Sequence, residues 1–164
     1  MIFVTVGTHE QPFNRLVMHM DRWASEHNED VVIQTGFSTY EPQYSRWQKL
    51  FPYKDMLELV RQARIVITHG GPSSFIMPLQ IGKIPVVVPR KKEYNEHVND
   101  HQVSFCRNVA ERQGNIIVIE DVENLERTLE RYDEIIRSLK NEIKSNNTNF
   151  CANLNRIVSE LMEK

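Results

Sequence analysis

The sequence predicts a doubly wound α/β domain, a parallel sheet covered on both faces by helices. Short runs of branched apolar residues recur at Ile2-Phe3-Val4-Thr5-Val6, Val31-Val32-Ile33, Ile65-Val66-Ile67, Val86-Val87-Val88 and Ile116-Ile117-Val118-Ile119. Uninterrupted apolar strands suit a sheet buried on both sides. Segments with apolar residues at helical spacing alternate with these runs. Gly7, Gly36, Gly70 and Arg90 follow the runs, on the carboxyl edge where open α/β sheets bind ligands.

The first strand ends at Gly7-Thr8-His9-Glu10, and Phe13, Leu16, Val17, Met20 and Trp23 then mark one helical face. The second strand ends at Gly36. The stretch 37–49 reads as a long polar and aromatic loop, with a weak strand expected near Leu50-Phe51. Met56, Leu57, Leu59 and Val60 form the next helical face, leading into the strand at Ile65. A helix over 74–81, the Val86 strand, a helix over 95–111 and the strand at Ile116 complete the unit. Beyond Asp121, Val122, Leu125, Leu129, Tyr132, Ile136, Leu139 and Ile143 form one amphipathic stripe, and Phe150, Leu154, Ile157 and Leu161 another. A break is expected over 145–149. Residues 1–121 are thus expected to form a Rossmann-like ligand-binding part, and 122–164 helices packed on it, with packing on a partner as the second reading.

With 164 residues, the chain buries about 70% of its unfolded surface and needs no staples. A net charge of -2 gives nothing that favours nucleic acid or an anionic membrane surface as the main partner. Two cysteines far apart, Cys106 and Cys151, suit a reducing compartment rather than a disulfide framework. No signal peptide and no membrane-length apolar run is read, so a cytoplasmic location is expected. The sequon Asn146-Asn147-Thr148 is then a chance match.

The segment Thr68-His69-Gly70-Gly71-Pro72-Ser73-Ser74 carries most of the functional information. A strand that turns through two glycines into a serine-started helix offers main-chain N–H groups and a partial positive charge, which suit phosphate. The same residues also compose an ordinary tight turn with a serine cap. A second polar cluster, Glu93 to Gln102, follows the next strand and shares the same edge. Within it Glu93, His97 and His101 are spaced i, i+4 and i+8, which on a helix would allow zinc and a metallohydrolase. No further Cys or His stands at ligand spacing, and no metal is expected.

With these motifs in view, the chain resembles the carboxyl-terminal, donor-binding half of GT-B glycosyltransferases of family 28. It looks most like the small stand-alone subunits of two-component bacterial enzymes that build capsular or extracellular polysaccharide on a lipid carrier. The eukaryotic counterpart is the small subunit of the dolichol-linked UDP-N-acetylglucosamine transferase. The resemblance rests on Phe3-Val4-Thr5-Val6-Gly7-Thr8, Ile67-Thr68-His69-Gly70-Gly71-Pro72-Ser73-Ser74, Gly82-Lys83-Ile84-Pro85-Val86-Val87-Val88-Pro89-Arg90 and Glu96-His97-Val98-Asn99-Asp100-His101-Gln102.

It implies a UDP-sugar donor, galactosyl or N-acetylglucosaminyl transfer to a lipid-linked acceptor, and no resident cofactor. Gly70, Gly71, Ser73 and Ser74 would receive the diphosphate, with His69 at the rim. Asp100, His101 and Gln102 would meet sugar hydroxyls or phosphate, and Tyr53 would lie near the uracil. Gly7, Thr8, Glu93 and His97 complete the implied donor contacts. Relatives often carry a ribose-binding glutamate where Met77 stands here, so Glu93 or Glu96 would substitute. Pro78 predicts a short or kinked helix.

An inverting transfer needs a general base and positive charge at the leaving diphosphate. Arg90, Lys91 or Lys92 would assist the charge. His9 is the candidate base in this chain, its alternative being plain helix-entry chemistry; otherwise the base sits on a membrane-anchored partner that supplies the acceptor half. The rival reading is a non-catalytic enhancing or nucleotide-binding subunit. A homo-oligomer is also compatible with the sequence.

Overall fold

The computed structural model describes residues 1–139 and 147–162. Its sheet has six strands: β1 (Ile2–Thr5), β2 (Val31–Gln34), β3 (Arg46–Gln48), β4 (Ile65–His69), β5 (Val86–Val88) and β6 (Ile117–Val118). They stand in the order β3-β2-β1-β4-β5-β6, and every pairing is parallel. Helices α1 (Asn14–Glu26), α2 (Tyr53–Gln62), α3 (Pro72–Gln80), α4 (His101–Gln113), α5 (Leu125–Glu130), α6 (Tyr132–Ser138) and α7 (Asn147–Met162) follow in chain order.

Alternating side chains send each strand's residues to two separate layers. Ile2, Val4, Val6, Ile33, Ile67 and Val88 face α1, where Phe13, Leu16 and Met20 are fully buried, and the same cluster takes in Val122, Leu125, Leu129 and Tyr132. On the other face Phe3, Val32 and Val66 meet Val60 and Ala63 at the end of α2, while Val87 meets Phe75 of α3 and Cys106 of α4. Helices thus cover both faces, and the doubly wound α/β class is established.

Four local expectations are corrected. The strand expected near Leu50 lies earlier, at Arg46–Gln48, on the exposed sheet edge. Its approach is organised by the buried carboxylate of Asp21, which accepts from the amides of Gln43, Tyr44 and Ser45 and from the Tyr40 hydroxyl. The helix expected from residue 95 starts only at His101. A single 3-10 turn at Lys92–Tyr94 precedes it and closes on Asn95, which is left-handed at φ 56. The stripe from Val122 is broken at Arg131 into α5 and α6; Ile143 lies outside the described residues. The last strand is two residues long, although the Ile119 amide still reaches the Val87 carbonyl at 2.9 Å.

Helix α3 is short, nine residues with Pro78 inside it. The break expected over 145–149 falls partly outside the described residues, and the chain is helical again from Asn147. On α7 Ile157 is exposed, while the side chains of Phe150, Leu154 and Leu161 lie outside the described set.

Candidate functional site

The strand order reverses between β1 and β4, because the chain leaves β1 toward one side of the sheet and β4 toward the other. A crevice opens there at the carboxyl ends of the two strands. Gly7 lies one residue beyond Val6 at φ +76, and its amide donates to the Thr5 hydroxyl at 3.2 Å. Gln34 of β2 donates to the same hydroxyl at 3.1 Å. The floor of the crevice is therefore hydrogen-bonded and buried.

His69, the last residue of β4, sends its ring across this crevice. A β-carbon on Gly7 would stand 2.3 Å from its Nε2, and one on Gly71 2.2 Å from its Cε1. Both positions need glycine because the imidazole passes between them. Gly70 is constrained from another side: a β-carbon there would meet the Cys106 sulfur at 2.9 Å and the Gln102 side chain at 3.0 Å. The doublet thus lets β4 and α4 approach closely.

The amides at the start of α3 are partly used by the chain itself. The helix begins at Pro72 with Gly71 as its cap, not at Ser74, since proline is pre-organised for a first helical position and has no N–H to satisfy. The Gly71 amide donates to His69 Nδ1 at 3.0 Å, and the Ser74 amide to the Gly71 carbonyl at 3.0 Å. Ser74 Oγ lies 2.8 Å from His69 Nε2. Ser73 is exposed and Ser74 half-buried.

Arg90 is fully buried, which corrects the expectation that it lies beside a departing anion. Its guanidinium donates to the carbonyls of Val6 at 2.9 Å, Gln11 at 2.8 Å, Glu96 at 3.1 Å and Pro12 at 3.4 Å. It also lies 4.8 Å above the Phe13 ring. Burial pulls its pKa down to about 10, with Glu96 opposing. Arg90 therefore joins the loops after β1 and β5 rather than facing the crevice. Glu96 is likewise occupied: Arg15 grips it through two bonds of 2.9 Å, and it accepts the Lys91 amide at 3.0 Å. Glu93 stays exposed, paired with Lys91 Nζ at 3.0 Å.

The remaining polar residues ring the same edge. His9 and His97 are half-buried, their rings 5.0 Å apart. His9 Nδ1 accepts the Gln11 amide at 3.2 Å, and burial, then Arg90 and His97, keep its pKa low. Asp100 accepts the Lys92 amide at 2.9 Å, and Gln102 the Arg90 amide at 3.1 Å. Exposed His101 opens α4 and stacks on Phe105. Thr8 and Tyr53 are exposed, the latter as the first residue of α2. Glu93, His97 and His101 lie in a 3-10 turn, a loop and a helix start respectively, so the shared helical face required for zinc does not exist.

Another set of ligand-type groups, His27, Glu126 and Glu130, lies within 4.8 Å of one another among the described residues. His27 caps the end of α1 and so belongs to the opposite edge of the sheet.

Residues 1–157 match the glycosyltransferase family 28 C-terminal domain. The chain belongs to that family. Three solved structures share the fold of this family 28 domain. The glycotransferase of kitacinnamycin aligns with a TM-score of 0.60 at 18% identity, over 87% of this chain and 38% of its own. The glycosyltransferase SnogD from Streptomyces nogalater aligns at 0.55 and 18%, over 87% and 38%. The spinosyn forosaminyltransferase SpnP aligns at 0.57 and 17%, over 96% and 43%. The chain spans only about two-fifths of the length of these structures. No curated protein matches it.

In this family 28 domain Met77 packs against the Phe3, Val32 and Val66 cluster. The position for which the resemblance implied a ribose-binding glutamate is here a packing position. Among the described residues no helix is long and apolar enough to cross a membrane.

The buried imidazole should make the domain acid-sensitive. Burial, then Arg90, lowers the His69 pKa from 6.5 to about 4. The unfolded ring takes up a proton near pH 6.5, the folded one only near pH 4, so stability falls as pH drops through this window and levels off below it. The full gap corresponds to about 3 kcal/mol at 1.36 kcal/mol per unit. His9 and His19 are shifted in the same direction. Urea denaturation at pH 7 and pH 4.5 should show a smaller acid loss in His69→Gln than in the wild type; equal losses would remove His69 as the cause.

Proposed function

We propose that the chain is the donor-binding half of a UDP-sugar-dependent glycosyltransferase that transfers a hexose, galactose or N-acetylglucosamine, to a lipid-linked acceptor in capsular or extracellular polysaccharide synthesis. The observation that carries this reading is the Gly7, His69 and Gly71 crevice at the switch point of a family 28 domain. The start of α3 lies at its edge, where the helix dipole favours the diphosphate. In this reading Tyr53, the exposed first residue of α2, serves the base, and Asp100, His101 and Gln102 around the start of α4 serve sugar and phosphate.

Magnitudes argue for a second protein. A helix terminus contributes at most about 2 kcal/mol toward an anion, whereas micromolar binding requires about 8. The other contacts come from nucleotide, sugar and a surface closing the crevice from above. In this arrangement the His9 lone pair on Nδ1 is held by the Gln11 amide, which favours a general base on the membrane-anchored partner that also presents the acceptor. The complex then works at the inner face of the plasma membrane.

The test is a transfer assay with several UDP-sugars and a lipid-linked acceptor, using the chain alone and with its candidate membrane partner, beside calorimetry of UDP binding. The isolated chain is expected to bind UDP, and transfer to require the partner. Absence of UDP binding in both preparations would make the chain an enhancer instead.

A further inference from the structure

We propose that His69 is a positioning residue that holds the Ser74 hydroxyl with its proton directed outward, as a ready donor to the oxyanion of a nucleotide diphosphate. The inference rests on the donor-site reading above and assigns its proton geometry. A main-chain N–H can only donate, so the nitrogen that receives the Gly71 amide, Nδ1 at 3.0 Å, must carry a lone pair. A neutral imidazole has one N–H, which then sits on Nε2. At 2.8 Å from Nε2, Ser74 Oγ is the acceptor of that proton.

A serine hydroxyl that accepts from the ring retains its own proton to donate elsewhere. Among the described residues no side chain or carbonyl takes it: the contact with His69 is the one hydrogen bond of Ser74 Oγ. The ring cannot turn away, because the main chain at Gly7 and Gly71 encloses it on two sides. The groups acting on the ring support its neutral form. Burial, Arg90, His9 and His97 disfavour protonation, and Gln102 alone favours it.

This assigns distinct tasks to neighbouring residues. The Gly71 amide is spent on orienting the imidazole. The Ser74 hydroxyl becomes a fixed donor at the helix start, suited to an acceptor-only group such as an ionised diphosphate and unsuited to a cation. Histidine serves here for its two-sided hydrogen bonding rather than for charge.

Two measurements on the full chain test it. Two-bond 1H–15N correlation spectra should show the His69 ring neutral at pH 7 with the proton on Nε2; a proton on Nδ1, or on both nitrogens, overturns the proposal. UDP titration calorimetry should show Ser74→Ala and His69→Asn each weaker by about tenfold, the scale of one lost hydrogen bond to a charged group. The double variant should be no weaker than Ser74→Ala alone. His69→Gln, whose amide nitrogen reaches the Nε2 position, should recover most of the affinity. Losses that multiply in the double variant, or unchanged affinity in His69→Asn, would refute the coupling. Failure of the wild type to bind UDP removes the donor-site reading separately, and the spectra still decide the arrangement of the ring.

Discussion

Replacing Arg90 by methionine should lower the unfolding free energy by about 4 kcal/mol, near the cost of breaking a buried charged network by removing one member. Methionine fills much of the volume against Phe13 but donates nothing. The carbonyls of Val6, Gln11 and Glu96, which the guanidinium now satisfies, would be left with a desolvation cost of about 1 to 3 kcal/mol each. Part of that cost is relieved because the loops carrying Gln11 and Glu96 can open toward water. The opening moves His9 and His97 as well, so UDP affinity should fall together with stability. Arg90→Lys should recover little, since an ammonium cannot span the fork of carbonyls that a planar guanidinium reaches. Urea denaturation measures the loss, and a change below about 1 kcal/mol would show that the loops do not depend on this side chain.

Gly71→Asp should abolish donor binding. The backbone there is extended, at φ -79 and ψ 128, so conformation does not demand glycine. The obstacle is steric and electrostatic. The new β-carbon would stand 2.2 Å from His69 Cε1 and displace the imidazole, while the carboxylate would meet a diphosphate at the helix start. Two like charges about 4 Å apart at an effective dielectric near 20 repel by about 4 kcal/mol, or about a thousandfold in affinity. Gly71→Ala isolates the steric part and should weaken UDP binding less. Wild-type affinity in Gly71→Asp, measured by calorimetry, would exclude a diphosphate from this turn.

The central sheet was legible because β1, β2, β4 and β5 are buried on both faces and appear as apolar runs. The edge strand β3 was not, since Arg46, Trp47 and Gln48 are all exposed and carry no apolar pattern. Its position depends on Asp21, far upstream. The stretch from Asn95 read as the opening of a helix, but Arg15 draws Glu96 inward and that stretch is irregular up to His101.

At the site, the glycine doublet was visible, and its purpose was only partly so. Glycine at 71 was expected to expose amides; in the fold it also admits His69, through a contact with Gly7 that no local spacing announces. Arg90 read as a surface cation because nothing near it in sequence shows the carbonyls that surround it. Long-range burial of polar side chains is the information a single chain of letters conceals most fully.

Tyr132, in the helical segment after the sheet, donates from its hydroxyl to the Ile84 carbonyl at 2.6 Å, just upstream of β5. With Leu125 and Leu129 fully buried beside it, this stretch roofs the same interior that the sheet floors. A minimal recombinant version of this domain should therefore place its stop codon downstream of Tyr132. Ending it at Asp121 would yield an insoluble fragment, its oily underside bare to water.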